Sequence, residues 1–366
     1  MSQKKRLTLA DLARQLGVHS STVSRVMNPE TRHLISGEVA QRVLEAAAGL
    51  DFQPNRIASS LRTRRSHTIG VVLPDITNPL FPPILLGIEK VLSESGYAAL
   101  VANAGSDRAH QRFVVDQMLA HQVDGLILAT VTRHDPVLAH CLQGGIPVVM
   151  VNRSEAQGRA PDVVCDDRFG MRLTVNHLAA LGHRHIAHIT GPQTLSTGLL
   201  RKRGFVAAMK AHRLAASMVQ ASGYSREGGR LACAEILQRF PNVTAIATGN
   251  DMIALGCYDA LRAALLRCPE DISLVGHNDM PLADMLAPPL TTIRIPHHEM
   301  GAQAARLLLD LIRERGNGDI HIVLPPELVV RESTAPPRKA AERAHGGSAV
   351  DAQGGPCLTG KLHRLL

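Results

Sequence analysis

The sequence predicts two architectures in one chain: an all-α head of roughly sixty residues and an α/β body with parallel sheets, long enough for two lobes. Three observations predict it. Charge is unevenly spread: residues 1–66 carry 11 Lys and Arg against 5 Asp and Glu, residues 67–335 carry 24 against 25, and residues 336–366 carry 5 against 2. The N-terminal part shows helical periodicity, whereas from residue 67 onward short apolar runs alternate with amphipathic helices. A length of 366 residues with 45% hydrophobic side chains exceeds one ordinary domain and supports sizeable cores. The expected division is a head at 1–53, a linker at 54–66, a body at 67–335 and a disordered tail at 336–366, the last rich in Pro, Gly, Ala and charge.

In the head, Thr8 can cap a helix with Asp11 three positions on, and Leu9, Leu12, Ala13 and Leu16 share one face before Gly17 ends it. A second helix has Val23, Val26 and Met27 as its apolar stripe, which leaves Ser20, Ser21, Ser24 and Arg25 pointing outward. Hydroxyls at a helix N-terminus suit phosphates, and an arginine suits the two acceptors of a guanine edge in a DNA major groove. A third helix is predicted after Ser36, with Val39, Val43, Ala47 and Leu50 facing inward. The two-helix spacing alone would also describe a solvated hairpin whose serines face water. The next stretch, "PNRIASSLRTRRS", argues for the nucleic-acid reading. Pro54 opens a short helix with Ile57, Ala58 and Leu61 on one side and Arg56, Arg62, Arg64 and Arg65 around it. So short a helix is unstable alone and would order where two copies pack together with arginines against phosphates.

The body starts with "HTIGVVLPD", a helix through "ILLGIEKVLSES", "YAALVA", a helix around "FVVDQMLA" and "DGLILAT". "IPVVMVN", a helix through "RLTVNHLAALG" and "HIAHIT" follow, then "VTAIAT", "DMIALGCYDALRAALL", "ISLVGH" and "TTIRI". This alternation implies parallel sheets flanked by helices, whose ligands bind beyond the carboxyl ends of the strands.

The stretches "TLADLARQLGVHSSTVSRVMN", "PNRIASSLR", "DITNPLF", "VDGLIL", "LGHRHIAHITGP", "NDMIALG" and "PPLTTIRIP" make residues 7–335 resemble transcriptional regulators of the lactose repressor (LacI/GalR) family. The resemblance implies a helix-turn-helix head, a hinge helix, and a periplasmic-binding-protein-like effector domain whose chain crosses between lobes three times, "EMGAQAARLLLDLIRERG" returning to the first. It implies a homodimer on a palindromic operator, with the hinge leucine, here Leu61, wedged into the minor groove at some cost in unstacking. The operator contacts it implies are Thr8, His19, Ser20, Ser21, Thr22, Ser24, Arg25 and Asn28 in the head, and Asn55, Arg56, Ala58, Leu61, Arg62, Arg64 and Arg65 in the hinge. His19 departs from the usual Ser or Thr cap, which puts the cap of the second helix in question.

The same resemblance places effector contacts in the loops after the strands: Asp75, Asn78 and Phe81; Asn152 and Arg153; Arg201; Asn250 and Asp251; and Asn278 and Asp279. Tyr224 is a further candidate, since the chain has no Trp and only nine Phe and Tyr. Arg, Asn and Asp suit hydroxyls or a carboxylate, and Phe81 can stack on the apolar face of a sugar. Any one of these could instead cap a loop or helix, Asp251 especially. Asn152 and Asn278 stand where many relatives have Asp, which favours a neutral or anionic effector such as a sugar acid.

Other classes fare less well. His183, His185 and His188 lack helical metal-ligand spacing, so no metal and no cofactor are expected. No P-loop, GxGxxG after a strand or GxSxG elbow occurs, which argues against an enzyme; a sugar-modifying enzyme on this fold would leave the basic head unexplained. A transport-type sugar-binding protein would need a secretory signal, and an architectural DNA-binding protein would lack convergent polar loops. The expected place of work is the cytoplasm, with six scattered cysteines as reduced, mostly buried thiols and no membrane contact. The final "LHRLL" is too short for a tetramerising heptad, so a dimer is expected.

Overall fold

The computed structural model describes residues 7–27, 31–50, 52, 65–313 and 320–338. In the head, α1 (Leu9–Leu16), α2 (Ser20–Met27) and α3 (Gly37–Gly49) enclose a small core in which Leu12, Val23, Val26 and Val43 are buried. The capping box at α1 is complete: the Asp11 amide donates to Thr8 Oγ1 at 3.2 Å, and Thr8 N donates to Asp11 Oδ2 at 3.1 Å. Gly17 ends α1 in the left-handed region, φ 65°, which favours glycine. Met27, Val39 and Leu50 are only half-buried at the core's rim, while Phe52, which no periodicity singled out, is buried with the core.

The body runs β1 (Thr68–Leu73), α4 (Phe81–Glu94), β2 (Ala98–Asn103), α5 (Arg108–Ala120), β3 (Gly125–Leu128), α6 (Pro136–Gln143), β4 (Val148–Val151) and β5 (Asp162–Cys165). There follow α7 (Asp167–Ala180), β6 (Ile186–Thr190), α8 (Ser196–Ala211), β7 (Ser217–Gln220), α9 (Arg226–Arg239), β8 (Ala245–Thr248), α10 (Asp251–Ala263), β9 (Ser273–Asn278) and β10 (Thr291–Arg294). The last elements are α11 (His297–Ile312), β11 (His321–Leu324) and β12 (Glu327–Val329). Two six-stranded sheets result, ordered β11-β5-β4-β3-β1-β2 and β12-β10-β9-β8-β6-β7. All pairings are parallel except that of β12 with β10. The central strands are largely apolar on both faces because helices cover both: α4 and α11 against α5 and α6 in the first lobe, α9 and α10 against α7 and α8 in the second.

The chain crosses between the lobes after β5, after β10 and after β11. Both sheets reverse their winding beside their first strand, β1 or β6, and the carboxyl ends of these strands are where such folds place ligands.

Packing extends beyond two of the expected boundaries. Arg338 pairs with Asp271 at 2.8 Å, so residues 336–338 lie on the second lobe, while the rest of the tail lies outside the described residues. Arg65 donates to the Ile312 carbonyl at the end of α11, at 3.3 Å. A guanidinium at a helix C-terminus answers carbonyls that have no partner within the helix, and this contact ties the start of the body to the first lobe.

Helices α4 and α11 meet at glycines. A Cβ on Gly87 would lie 2.0 Å from the His298 carbonyl oxygen, and one on Gly301 would lie 2.0 Å from that of Ile84. Gly87→Ala and Gly301→Ala are therefore each expected to destabilise the first lobe by about 1–3 kcal/mol in urea unfolding, despite the better helix propensity of Ala. Gly49→Ala, with open space around it, is expected to cost nothing. Equal effects at all three positions would contradict the close helix crossing.

Candidate functional site

The exposed face of α2 carries Ser20, Ser21 and Arg25, with Thr22 and Ser24 half-buried beside them. Its stripe of Val23 and Val26 faces the core, which forces the polar residues out. His19 supplies the missing cap: its Nδ1 accepts from the Ser21 amide at 3.3 Å and lies 2.7 Å from Ser21 Oγ. A ring nitrogen thus takes the place of the usual hydroxyl at the helix entrance. Thr31 Oγ1 donates to the Arg25 carbonyl at 3.0 Å and Arg32 Nε to that of Val26 at 2.9 Å, which closes the C-terminal end of α2. Thr8 is exposed but engaged as the α1 cap. Asn28, Asn55, Arg56, Ala58, Leu61, Arg62 and Arg64 lie outside the described residues.

Between the lobes, the loops at the strand ends converge on a narrow crevice lined by Asn78, Leu80, Phe81, Asn152, Arg153, Thr197, Arg201, Tyr224, Asn250 and Asn278. Eight of the eleven sequence candidates are there. The other three, all aspartates, are not, and each has a local reason. Asp75 accepts from the Thr77 amide at 2.9 Å and from its hydroxyl at 2.6 Å within its own turn. Asp251 is buried at the start of α10, where Thr292 Oγ1 donates at 2.6 Å and Met280 N at 2.7 Å. Asp279 pairs with Arg294 and Arg331, each at 2.7 Å.

Arg201 is the centre of the second-lobe wall and only 3% exposed. Its Nε donates to Asp167 Oδ1 at 2.7 Å, Nη1 to the Gly249 carbonyl at 2.6 Å, and Nη2 to Asn278 Oδ1 at 3.3 Å. Burial by itself pushes the Asp167 carboxyl up, but the Arg201 charge and the His277 ring outweigh it and hold Asp167 below the usual carboxylate range. Burial brings His277 and His188 down to about 4, so both are neutral behind this wall at neutral pH. Tyr224 donates its hydroxyl to Thr197 Oγ1 at 3.0 Å, and the Arg201 guanidinium lies 6.0 Å from its ring. Asn250 Oδ1 accepts from the Ile253 amide as the α10 cap, while the residue still lines the crevice.

On the first-lobe side, Phe81 is buried at the start of α4, and Asn152 takes a left-handed backbone, φ 67°, immediately after β4. Arg153 follows it. Its Nε is buried without a hydrogen-bond partner, and burial together with the Arg201 charge lowers its pKa to about 10. The lobes are fastened beside the crevice by Arg133 N to the Thr194 carbonyl and Ser154 N to Ser196 Oγ, both 2.9 Å.

Sequence reasoning missed Leu80, Thr197 and the Asp167 partner of Arg201. "DDRFG" signals a capped helix start, and Asp166 does cap α7 through the Phe169 amide. Nothing in its spacing, however, points to an arginine 34 residues away.

Two family models match the chain: "Bacterial regulatory proteins, lacI family" over residues 8–55 and "Periplasmic binding protein-like domain" over residues 175–334. The ribose operon repressor of Halalkalibacterium halodurans is 32% identical over 327 residues, covering 89% of this chain and 97% of that protein. The lac repressor dimer bound to operator and the anti-inducer ONPF superposes with a TM-score of 0.80 at 29% identity, covering 90% of this chain and 100% of the other. The transcriptional regulator CelR in complex with cellobiose matches with a TM-score of 0.68 at 31% identity, again over 90% and 100%.

Removing Arg201 leaves a carboxylate buried without its counter-charge. Arg201→Ala is therefore expected to cost about 3–5 kcal/mol in urea unfolding, and Arg201→Ala with Asp167→Ala at least 1 kcal/mol less than the sum of the two single variants. Additive costs would show that the two side chains are not coupled.

Proposed function

The chain belongs to the LacI family of bacterial regulatory proteins and is a DNA-binding transcriptional regulator; we propose that it acts as a homodimeric repressor on a palindromic operator, with its grip set by a small sugar or sugar acid held between the lobes. The observation that carries this reading is the crevice. Amide, hydroxyl and guanidinium groups from the loops after strands in both lobes converge there beside Phe81, an arrangement suited to a polyol and to lobe closure upon it. CelR, which covers the same length, is complexed with a sugar.

The proposed roles follow the chemistry of each residue. Ser20, Ser21 and the α2 N-terminus meet phosphates, Arg25 reads a base edge, and Leu61 enters the minor groove between two hinge segments. Effector control runs through the root of the hinge. Asp124, just before β3, accepts from Ser66 N at 2.7 Å and from His67 N at 3.0 Å, and Arg65 caps α11. The first lobe thus sets where the hinge leaves the body. An effector that favours one arrangement of the lobes alters the spacing of the two hinge roots in a dimer, and with it hinge pairing on DNA. This reading needs no catalytic group and places the protein with DNA in the cytoplasm. Among the described residues no helix is long and apolar enough to cross a membrane.

The test is DNA selection from a random duplex pool followed by binding of variants to the selected operator. Leu61→Ala is expected to weaken operator binding about tenfold or more while leaving random duplex nearly unaffected, as loss of a groove wedge requires. Arg64→Ala is expected to weaken both and to lower the salt slope by about one. Recovery of no preferred sequence, or equal losses for Leu61→Ala on both duplexes, would contradict the operator model.

A further inference from the structure

We propose that the effector is a sugar acid whose carboxylate is held by Arg153. The inference rests on the sugar-effector reading and names its chemical class.

Arg153 is the unexplained charge of the crevice. Its Nε is buried with no hydrogen-bond partner, and no acidic side chain pairs with it among the described residues. A guanidinium partly desolvated in a crevice without a counter-ion is costly, and the acidic side chains near the crevice make other contacts. Asp167 is engaged by Arg201, while Asp75, Asp251 and Asp279 are held outside the crevice by their own partners. The crevice therefore carries one guanidinium balanced by Asp167 and one that is not. A neutral sugar would satisfy N–H donors but leave that charge uncompensated. An anionic group cancels it.

The remaining lining selects the rest of the ligand. Asn78, Asn152, Asn250 and Asn278 offer amides to hydroxyls, and Phe81 offers an apolar edge to ring carbons. Carboxylate is favoured over phosphate because Arg201 already donates to three acceptors, leaving one unpaired guanidinium, whose single charge is matched by one carboxylate and exceeded by a phosphate monoester of about −1.5 to −2.

Calorimetric titration of the full-length protein tests this with matched pairs: glucuronate and glucose, galacturonate and galactose, gluconate and glucitol, mannonate and mannitol, with glucose 6-phosphate as the phosphate arm. At least one acid is expected to bind about tenfold or more tighter than its neutral counterpart. Arg153→Gln is expected to erase that preference and Arg153→Lys to retain part of it, with thermal unfolding of both variants confirming that they are folded. A neutral sugar that binds as well as its acid and is indifferent to Arg153→Gln overturns the anionic assignment and leaves the sugar-effector reading standing. Tighter binding of glucose 6-phosphate than of every carboxylate overturns the choice of carboxylate. If no compound binds and none alters operator affinity, both readings fall.

Discussion

The buried guanidinium of Arg201 donates to Asp167, to the Gly249 carbonyl and to Asn278, and so joins the first crossover helix, the end of β8 and the end of β9 in one corner of the second lobe. Polar groups at that depth are stable only when their partners are fixed, so the corner is rigid. Its rigidity is what lets Tyr224, Thr197 and Asn250 present defined faces to the crevice. Because Asp167 opens the helix that follows the first crossing between lobes, the same pair also ties that crossing to the second-lobe wall.

The two walls contribute unequal chemistry. The second-lobe wall is electrostatically complete, with the Arg201 charge matched and the histidines behind it neutral. The first-lobe wall holds Phe81, two asparagines and a guanidinium without an anion. In the proposed function, a ligand that satisfies the first wall while resting on the second draws the lobes together, and the first lobe is also the one rooted to the hinge through Asp124 and Arg65. On that proposal recognition and DNA control share one structural unit, and no long relay of side chains is needed between them.

Much of this was legible in the sequence because it follows from short-range rules. The Thr8–Asp11 cap, the Gly17 stop, the polar face of α2 and the alternation of strands and helices are all local patterns, and each appears where expected. The crevice was legible at the level of loops, since strand ends are where this architecture binds ligands. Which side chain in a loop faces inward was not. Asp75, Asp251 and Asp279 sit beside true lining residues but answer nearer donors, and Asp167 finds Arg201 across a distance no spacing reveals. Nor does any local pattern show that Arg65 lies beside the carbonyl end of α11, far along the chain.

The central claim is that the crevice and the DNA-binding head report on one equilibrium. Reciprocal titration measures this directly: operator affinity by fluorescence anisotropy with and without saturating effector, and effector affinity by calorimetry with and without saturating operator. Thermodynamic linkage requires both ratios to be the same and to differ from one, by a factor of about 5–150 for couplings of ordinary size. Effector binding that leaves operator affinity unchanged would contradict the account.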